Sequence, residues 1–223
     1  MTPPPFKPFS PELEYQRYLD GLLRHDREQC RLSFEQWLAA TPELRSLYEE
    51  LVRRSLYEVG TRWEQGQISV ATEHLATAIS EGLLNLTYPR LFARPRVNKS
   101  AVVACVASEY HQIGSKMVAD VFELCGWRGY FLGANTPLSA LLALIAEKQP
   151  NVAALSAATT YALDPLVAAV TEIRAAFPAL PVLVGGQAFR WGGSERFAAL
   201  PGVRCLKSLG ELEAWIQAPE NHV

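Results

Sequence analysis

Glu109, His111 and Gly114 lie in the stretch Ser108-Glu109-Tyr110-His111-Gln112-Ile113-Gly114, with a carboxylate two residues before an imidazole and a glycine three residues after it. A carboxylate so placed can hold one ring nitrogen, fix the tautomer and raise the basicity of the other, as partners of metal-bound histidines do. Gly114 lets backbone pass close to a ligand. Alone, E-x-H-x-x-G is a weak signal, and a surface Glu-x-His in a βα loop fits it as well. The second constellation is Trp63, followed by nine residues and then Glu73-His74. An indole at one helix end and a carboxylate with an imidazole at the next helix start can face one cavity. The alternative is an indole in a bundle core and a solvated first turn, where the helix dipole favours an acid.

Residues 1–10 hold four prolines and cannot form a regular element. From Pro11, behind Ser10 as N-cap, to about Arg94 the apolar residues recur at three and four. Leu13, Tyr15, Tyr18, Leu19, Leu22 and Leu23 mark one helix, and Cys30, Phe34, Trp37 and Leu38 a second. A third carries Leu44 to Trp63, and a fourth begins after the cap Ser69. Four helices with short connections predict a bundle over 11–94. Beyond Arg94-Pro95-Arg96, which reads as a joint, apolar strand-like runs stand at 101–107, 129–132, 152–156, 182–184 and 203–206. Helical patterns separate them at 115–125, 137–148 and 163–176, with a short one after Gly193 and a last at 209–217. The alternation predicts a doubly wound, five-stranded parallel sheet over 98–219. Glu109 and His111 then sit on the loop after the first strand. Carboxyl-end loops of this kind are where such sheets bind ligands.

After Gly114 come 41 residues and then Ser156-Ala157-Ala158; 26 more lead to Gly185-Gly186. With these three pieces in register the chain resembles the cobalamin (B12)-binding domain, whose pattern is D-x-H-x-x-G, about 41 residues, S-x-L, about 26 residues, G-G. The resemblance implies a flavodoxin-like sheet domain and a bound cobalamin. His111 would be the lower axial ligand of cobalt, Glu109 would hold its other ring nitrogen, and Gly114 would lie in the same loop. The displaced nucleotide tail would run beside Ser156, Gly185, Gly186 and Gln187. Glu109 stands where Asp is more usual, and Ala158 where Leu is.

Trp63-x9-Glu73-His74 in front of such a domain is similar to the CarH-type B12 photoreceptors. By that resemblance Trp63 shields the upper ligand of adenosylcobalamin, Glu73 binds its ribose, and His74 completes the pocket or an adjoining contact surface. Two departures stand out. Only about ten residues precede the bundle, with no MerR-type helix-turn-helix, so the expectation is no direct DNA binding and output through self-association, a dimer first, or through a separate regulator. Glu64 follows Trp63 where those repressors carry a histidine that takes the upper cobalt position after light, so the light state should have another upper ligand, such as water. The photocobilins share this architecture and add a bilin such as biliverdin; Tyr15, Tyr18, Trp37, Tyr48, Tyr57 and Tyr88 could line such a site, or be bundle core.

The resulting expectation is a light-sensing signalling protein, not an enzyme. A corrinoid carrier for a methyltransferase and a light-independent cobalamin-sensing antirepressor are the alternatives. A net charge of −2 provides no field to hold nucleic acid or an anionic membrane. The scattered Cys30, Cys105, Cys125 and Cys205 read as free thiols. No apolar run approaches a membrane span, so a soluble cytoplasmic protein is expected. Asp120 and Asp164 read as a helix-face charge and a helix N-terminal residue, Trp127, Trp191 and Trp215 as packing residues, and His25 and His222 as solvated. Arg190 is a candidate for a phosphate of the nucleotide tail.

Overall fold

The structure is a computed structural model that describes residues 9–218. Most of the proline-rich start, and His222, lie outside the described residues. The described residues form two compact units that divide between Pro89 and Arg90.

The first unit is helical. α1 (Pro11–Arg24) starts where the Ser10 side chain accepts from the Leu13 N–H and ends at His25, which is left-handed at φ 61°. Asp26 caps α2 (Arg27–Ala40) in the same way. α3 is one continuous run: a first turn Leu44–Ser46, a π-helical stretch Leu47–Arg53, then Arg54–Glu64. The wide turns are invisible to a 3.6-residue period, and they keep Leu47, Tyr48, Leu51 and Val52 all buried. α4 (Val70–Leu84) is capped by Ser69. Tyr18 and Tyr48 bury their rings and direct their hydroxyls to Ser80 and Thr87, each pair about a hydrogen bond apart (2.9 and 3.0 Å). Tyr15, Tyr18, Trp37 and Tyr48 are therefore core, whereas Tyr57 is half-buried and Tyr88 exposed.

The second unit holds a sheet of β1 (Ser100–Cys105), β2 (Arg128–Phe131), β3 (Val152–Ser156), β4 (Val182–Gly185) and β5 (Val203–Cys205). All neighbours pair in parallel, in the order β2-β1-β3-β4-β5, the flavodoxin-like arrangement. Ala101 to Val106 and Val152 to Leu155 are buried without alternation, as a sheet covered on both faces requires. α5 (Ile113–Leu124), α6 (Leu138–Lys148), α7 (Leu163–Ala176) and α8 (Leu209–Gln217) supply the covering layers. Between β4 and β5 the connection is two 3₁₀ turns, Gln187–Trp191 and Ser194–Phe197, where the sequence pattern predicts one short helix. Gly192 and Gly193, at φ 107° and 91°, interrupt any longer helix there.

Asp120 is a charge on the α5 face that proves buried, with the Lys116 ammonium 3.9 Å away. Trp191, expected as a packing residue, is 57% exposed, whereas Trp127 and Trp215 are buried. Arg190 lies over the Trp191 ring, 5.7 Å from its centroid. No helix of the described residues is long and apolar enough to cross a membrane.

Candidate functional site

The loop after β1 is built to present one imidazole. Ser108 takes a left-handed conformation at φ 66°, and its N–H donates to the Asn135 side chain at 2.8 Å. The Asn135 N–H in turn donates to the Glu109 carbonyl at 2.7 Å. Across the loop, the Gln112 side-chain Oε1 accepts from the Ala134 N–H at 3.1 Å. The segment after β2 thus holds the segment after β1, and α5 begins at once with Ile113.

Glu109 itself is turned inward. Its side chain is 1% exposed, and its two oxygens are divided between two strand ends. Oε1 lies 2.6 Å from His111 Nδ1 and accepts the His111 N–H at 2.9 Å. Oε2 accepts the N–H groups of Ala158 at 2.7 Å and Thr159 at 3.1 Å, in the loop after β3. Burial by itself raises a carboxyl pKa, but the His111 ring and the three backbone donors outweigh it, and Glu109 is held below the ordinary 4.5. An ionised carboxylate can only accept, so the proton of the contact sits on Nδ1, and Nε2 is the nitrogen that can offer a lone pair to a metal. The His111 side chain is 57% exposed. A Cβ added to Gly114 would meet nothing within 4 Å.

Ser156, Gly185 and Gly186 lie together at the carboxyl ends of β3 and β4, with Ser156 opposite Gly185 in the ladder. The glycines there answer first to the protein's own backbone. Gly186 has φ 125°, and a Cβ on it would stand 2.1 Å from the Ala157 carbonyl oxygen; one on Gly185 would stand 3.1 Å from that of Leu206. Gln187 is half-buried in the first 3₁₀ turn beyond.

In the helical unit, Trp63 sits near the end of α3 and is 47% exposed; Glu73 is in the first turn of α4. Glu73 lies 2.5 Å from the His74 Nδ1 and accepts the Thr77 hydroxyl at 2.9 Å, while the His74 ring is exposed. Five residues, Gln65 to Ser69, join the two helix ends.

The structure therefore brings Glu109 to His111, and Ser156 to Gly185 and Gly186. It also adds Thr159 and Asn135, which no motif pointed to, and gives Ala158, the last position of the Ser156-Ala157-Ala158 piece, a backbone N–H role that its side chain does not announce. The donor set fits a corrinoid: one exposed imidazole, oriented by a buried carboxylate, beside a glycine with open space where a side chain would be.

Residues 99–205 match the B12 binding domain model, and residues 14–86 match a second model with the same description. The chain is 32% identical over 167 residues to the HTH-type transcriptional repressor CarH of Myxococcus xanthus, covering 73% of this chain and 54% of that protein. It is 25% identical over 144 residues to trimethylamine corrinoid protein 1 of Methanosarcina acetivorans, covering 63% of this chain and 67% of that one. The chain thus spans about half the length of the repressor it matches. Its fold is similar to that of the Methanosarcina barkeri monomethylamine corrinoid protein, with a TM-score of 0.77 at 13% identity over 92% of this chain and 98% of that one. With the helical segment and the sheet each matched by such a model, and with the parallel sheet and loop histidine in place, the chain belongs to the B12 binding domain family.

Proposed function

We propose that this protein binds adenosylcobalamin with His111 as the lower ligand of cobalt, in place of the cofactor's own base, and acts as a light-sensing signalling protein. The observation that carries the proposal is the Glu109–His111 contact, with its carboxylate fixed at the same time by the loop after β3. When bound, the cofactor supplies a cobalt–carbon bond that visible light cleaves. His111 offers the Nε2 lone pair, and Glu109 keeps the Nδ1 proton in place and makes the ring a stronger donor. Ala158 and Thr159 hold Glu109, so the imidazole direction is set before any ligand arrives. Ser156, Gly185, Gly186 and Gln187 are assigned to the nucleotide tail. Trp63 and Glu73 of the helical unit are assigned to the adenosyl group, the indole excluding water and the carboxylate accepting from a ribose hydroxyl, with His74 beside them. Signal leaves through a change in self-association or in contact with a separate regulator. The size of that change is limited by how differently the dark and light states hold the upper ligand.

The reading is supported by the Trp63-x9-Glu73-His74 arrangement and by the identity to the CarH repressor. A corrinoid carrier for methyl transfer is the second reading, favoured by the identity to the trimethylamine corrinoid protein. A carboxylate for a ribose has little use above a methyl group, which is why we place it second. Absorption spectra of the adenosylcobalamin-loaded protein in darkness and after green light decide between them. A light-dependent change supports the sensor, and an unchanged spectrum contradicts it. The same spectra with biliverdin added test for a second chromophore.

A further inference from the structure

Among the described residues, those with positive φ that are not glycine are His25, Ser108, Asn135 and Gln149. His25 and Gln149 follow the last turns of α1 and α6, where left-handed backbone is an ordinary way for a helix to end. Ser108 and Asn135, at φ 66° and 46°, end no helix; they are hydrogen-bonded to each other beside His111.

Ser108 stands third in the turn Val106–Glu109, which the Glu109 N–H closes on the Val106 carbonyl at 3.1 Å. Left-handed backbone at that position favours glycine, so a serine keeps it only where its surroundings hold it there. Asn135 supplies the hold on both sides of the Ser108–Glu109 peptide. Its Oδ1 accepts the Ser108 N–H at 2.8 Å, and its own N–H donates to the Glu109 carbonyl at 2.7 Å. With the Ala134 N–H on Gln112 Oε1, the segment 108–112 is gripped at both ends. The gripping loop is itself laid against the end of β1: the Cys105 N–H donates to the Gly133 carbonyl at 3.0 Å, and the Thr136 N–H to the Cys105 carbonyl at 3.1 Å. His111 meets Glu109 through both its N–H and its Nδ1, so a shift of the Glu109 main chain turns the ring.

We propose that Asn135 is a positioning residue for His111: by holding Ser108 left-handed and fixing the Glu109 main chain, it sets the direction in which Nε2 points. This deepens the reading of His111 as the lower ligand of cobalt and rests on it, so the test has one arm without cofactor and one with it. Asn135→Gly accepts the left-handed backbone and removes Oδ1, whereas Asn135→Asp tolerates that backbone and keeps the acceptor. The first arm is nuclear magnetic resonance of the cofactor-free protein carrying nitrogen-15 histidine, at a pH where the ring is neutral. The His111 signals, recognised by their loss in His111→Ala, should report the Nδ1–H tautomer. Asn135→Gly should give a mixture of tautomers, and Asn135→Asp should restore the single form. In the second arm the same labelled proteins bind cobalamin reduced to its cobalt(II) form. Electron paramagnetic resonance should show a nitrogen-15 doublet in the unaltered protein and in Asn135→Asp. In Asn135→Gly part of the bound corrinoid should lack the doublet, and affinity should weaken about fivefold, the worth of one hydrogen bond. A residue that only stabilises the fold would lower the urea midpoint and move neither spectrum. Tautomer and doublet unchanged in Asn135→Gly would overturn the proposal. Amide exchange of the unaltered protein is a check that needs no variant: the Ser108 and Asn135 N–H groups should be protected, and rapid exchange at both would also overturn it. A doublet missing from the unaltered protein contradicts His111 as the ligand instead, and the cofactor-free arm then decides alone whether Asn135 orients the ring.

Discussion

Glu109 accepts from His111 and from Ala158 with the two oxygens of one buried carboxylate, His111 Nδ1 at 2.6 Å and the Ala158 N–H at 2.7 Å. The ends of β1 and β3 are thereby joined by a side chain, and the direction of the imidazole depends on the loop after β3. The extra methylene of Glu relative to Asp provides reach across two strand ends. Glu109→Asp should keep the His111 contact and lose one or both backbone contacts. The expected cost is about 1 kcal/mol for each bond lost, measured by urea unfolding. Glu109→Ala strands three backbone donors and should cost about 3 kcal/mol or more. Equal stability of Glu109→Ala and the unaltered protein would contradict the assigned contacts.

Gly186 should tolerate no side chain. Its φ of 125° is costly for any other residue, and a Cβ would overlap the Ala157 carbonyl oxygen. Gly186→Ala is expected to lose about 2 kcal/mol or more and to shift the loop that carries Ala158 and Thr159. Gly114→Ala, where a Cβ meets nothing within 4 Å, should fold normally yet weaken corrinoid uptake. The pair of variants, followed by unfolding and by cobalamin titration, separates a glycine the fold requires from one the ligand requires.

Burial pushes the Cys30 thiol up to about 12 from 9.0. A group whose folded pKa is raised favours the folded state fully below its unfolded value, and that contribution is lost as pH rises toward the folded value. Stability should therefore fall as pH climbs from about 9 to about 12. Cys30→Ala should start from a lower stability at pH 8 and fall less steeply. Denaturation curves at pH 8 and 10.5 measure both slopes, and parallel slopes would contradict a buried thiol as the source.

Trp63→Ala and Glu73→Gln should leave cobalamin bound but alter its response to light. Without the indole, water should reach the upper ligand and the rate of photolysis should change. Without the carboxylate, the preference for adenosylcobalamin over methylcobalamin should fall about tenfold, the worth of one charge-assisted hydrogen bond. Competition titrations of the two cofactors in darkness read this directly; an unchanged preference would favour the carrier reading.

Much of this architecture was legible in the sequence because its signals are local. Ser10 and Ser69 cap helices through their own side chains, and continuous apolar runs mark a sheet covered on both faces. What escaped depends on partners distant in the chain. The π-helical stretch at Leu47–Arg53 leaves the apolar spacing readable as an ordinary helix. Gly192 and Gly193 reduce the fourth crossover to turns. The spacing marks Asp120 as a helix-face charge but does not show that it is buried beside Lys116. At the site, His111 and Glu109 stand out by residue type, whereas Ala158 and Thr159 contribute mainly N–H groups that every residue but proline possesses. The expectation for Gly185 and Gly186 was room for a ligand; that Ala157 and Leu206 also limit the space their side chains would take depends on backbone far along the chain or in another loop.

The central claim is that His111 ligates cobalt from below. Titrating His111→Ala with adenosylcobalamin in darkness, and recording the absorption spectrum of the bound fraction beside that of the unaltered protein, tests it most directly. The account predicts strongly weakened uptake and, for any corrinoid retained, a spectrum without histidine coordination. Uptake and spectrum equal to those of the unaltered protein would contradict it.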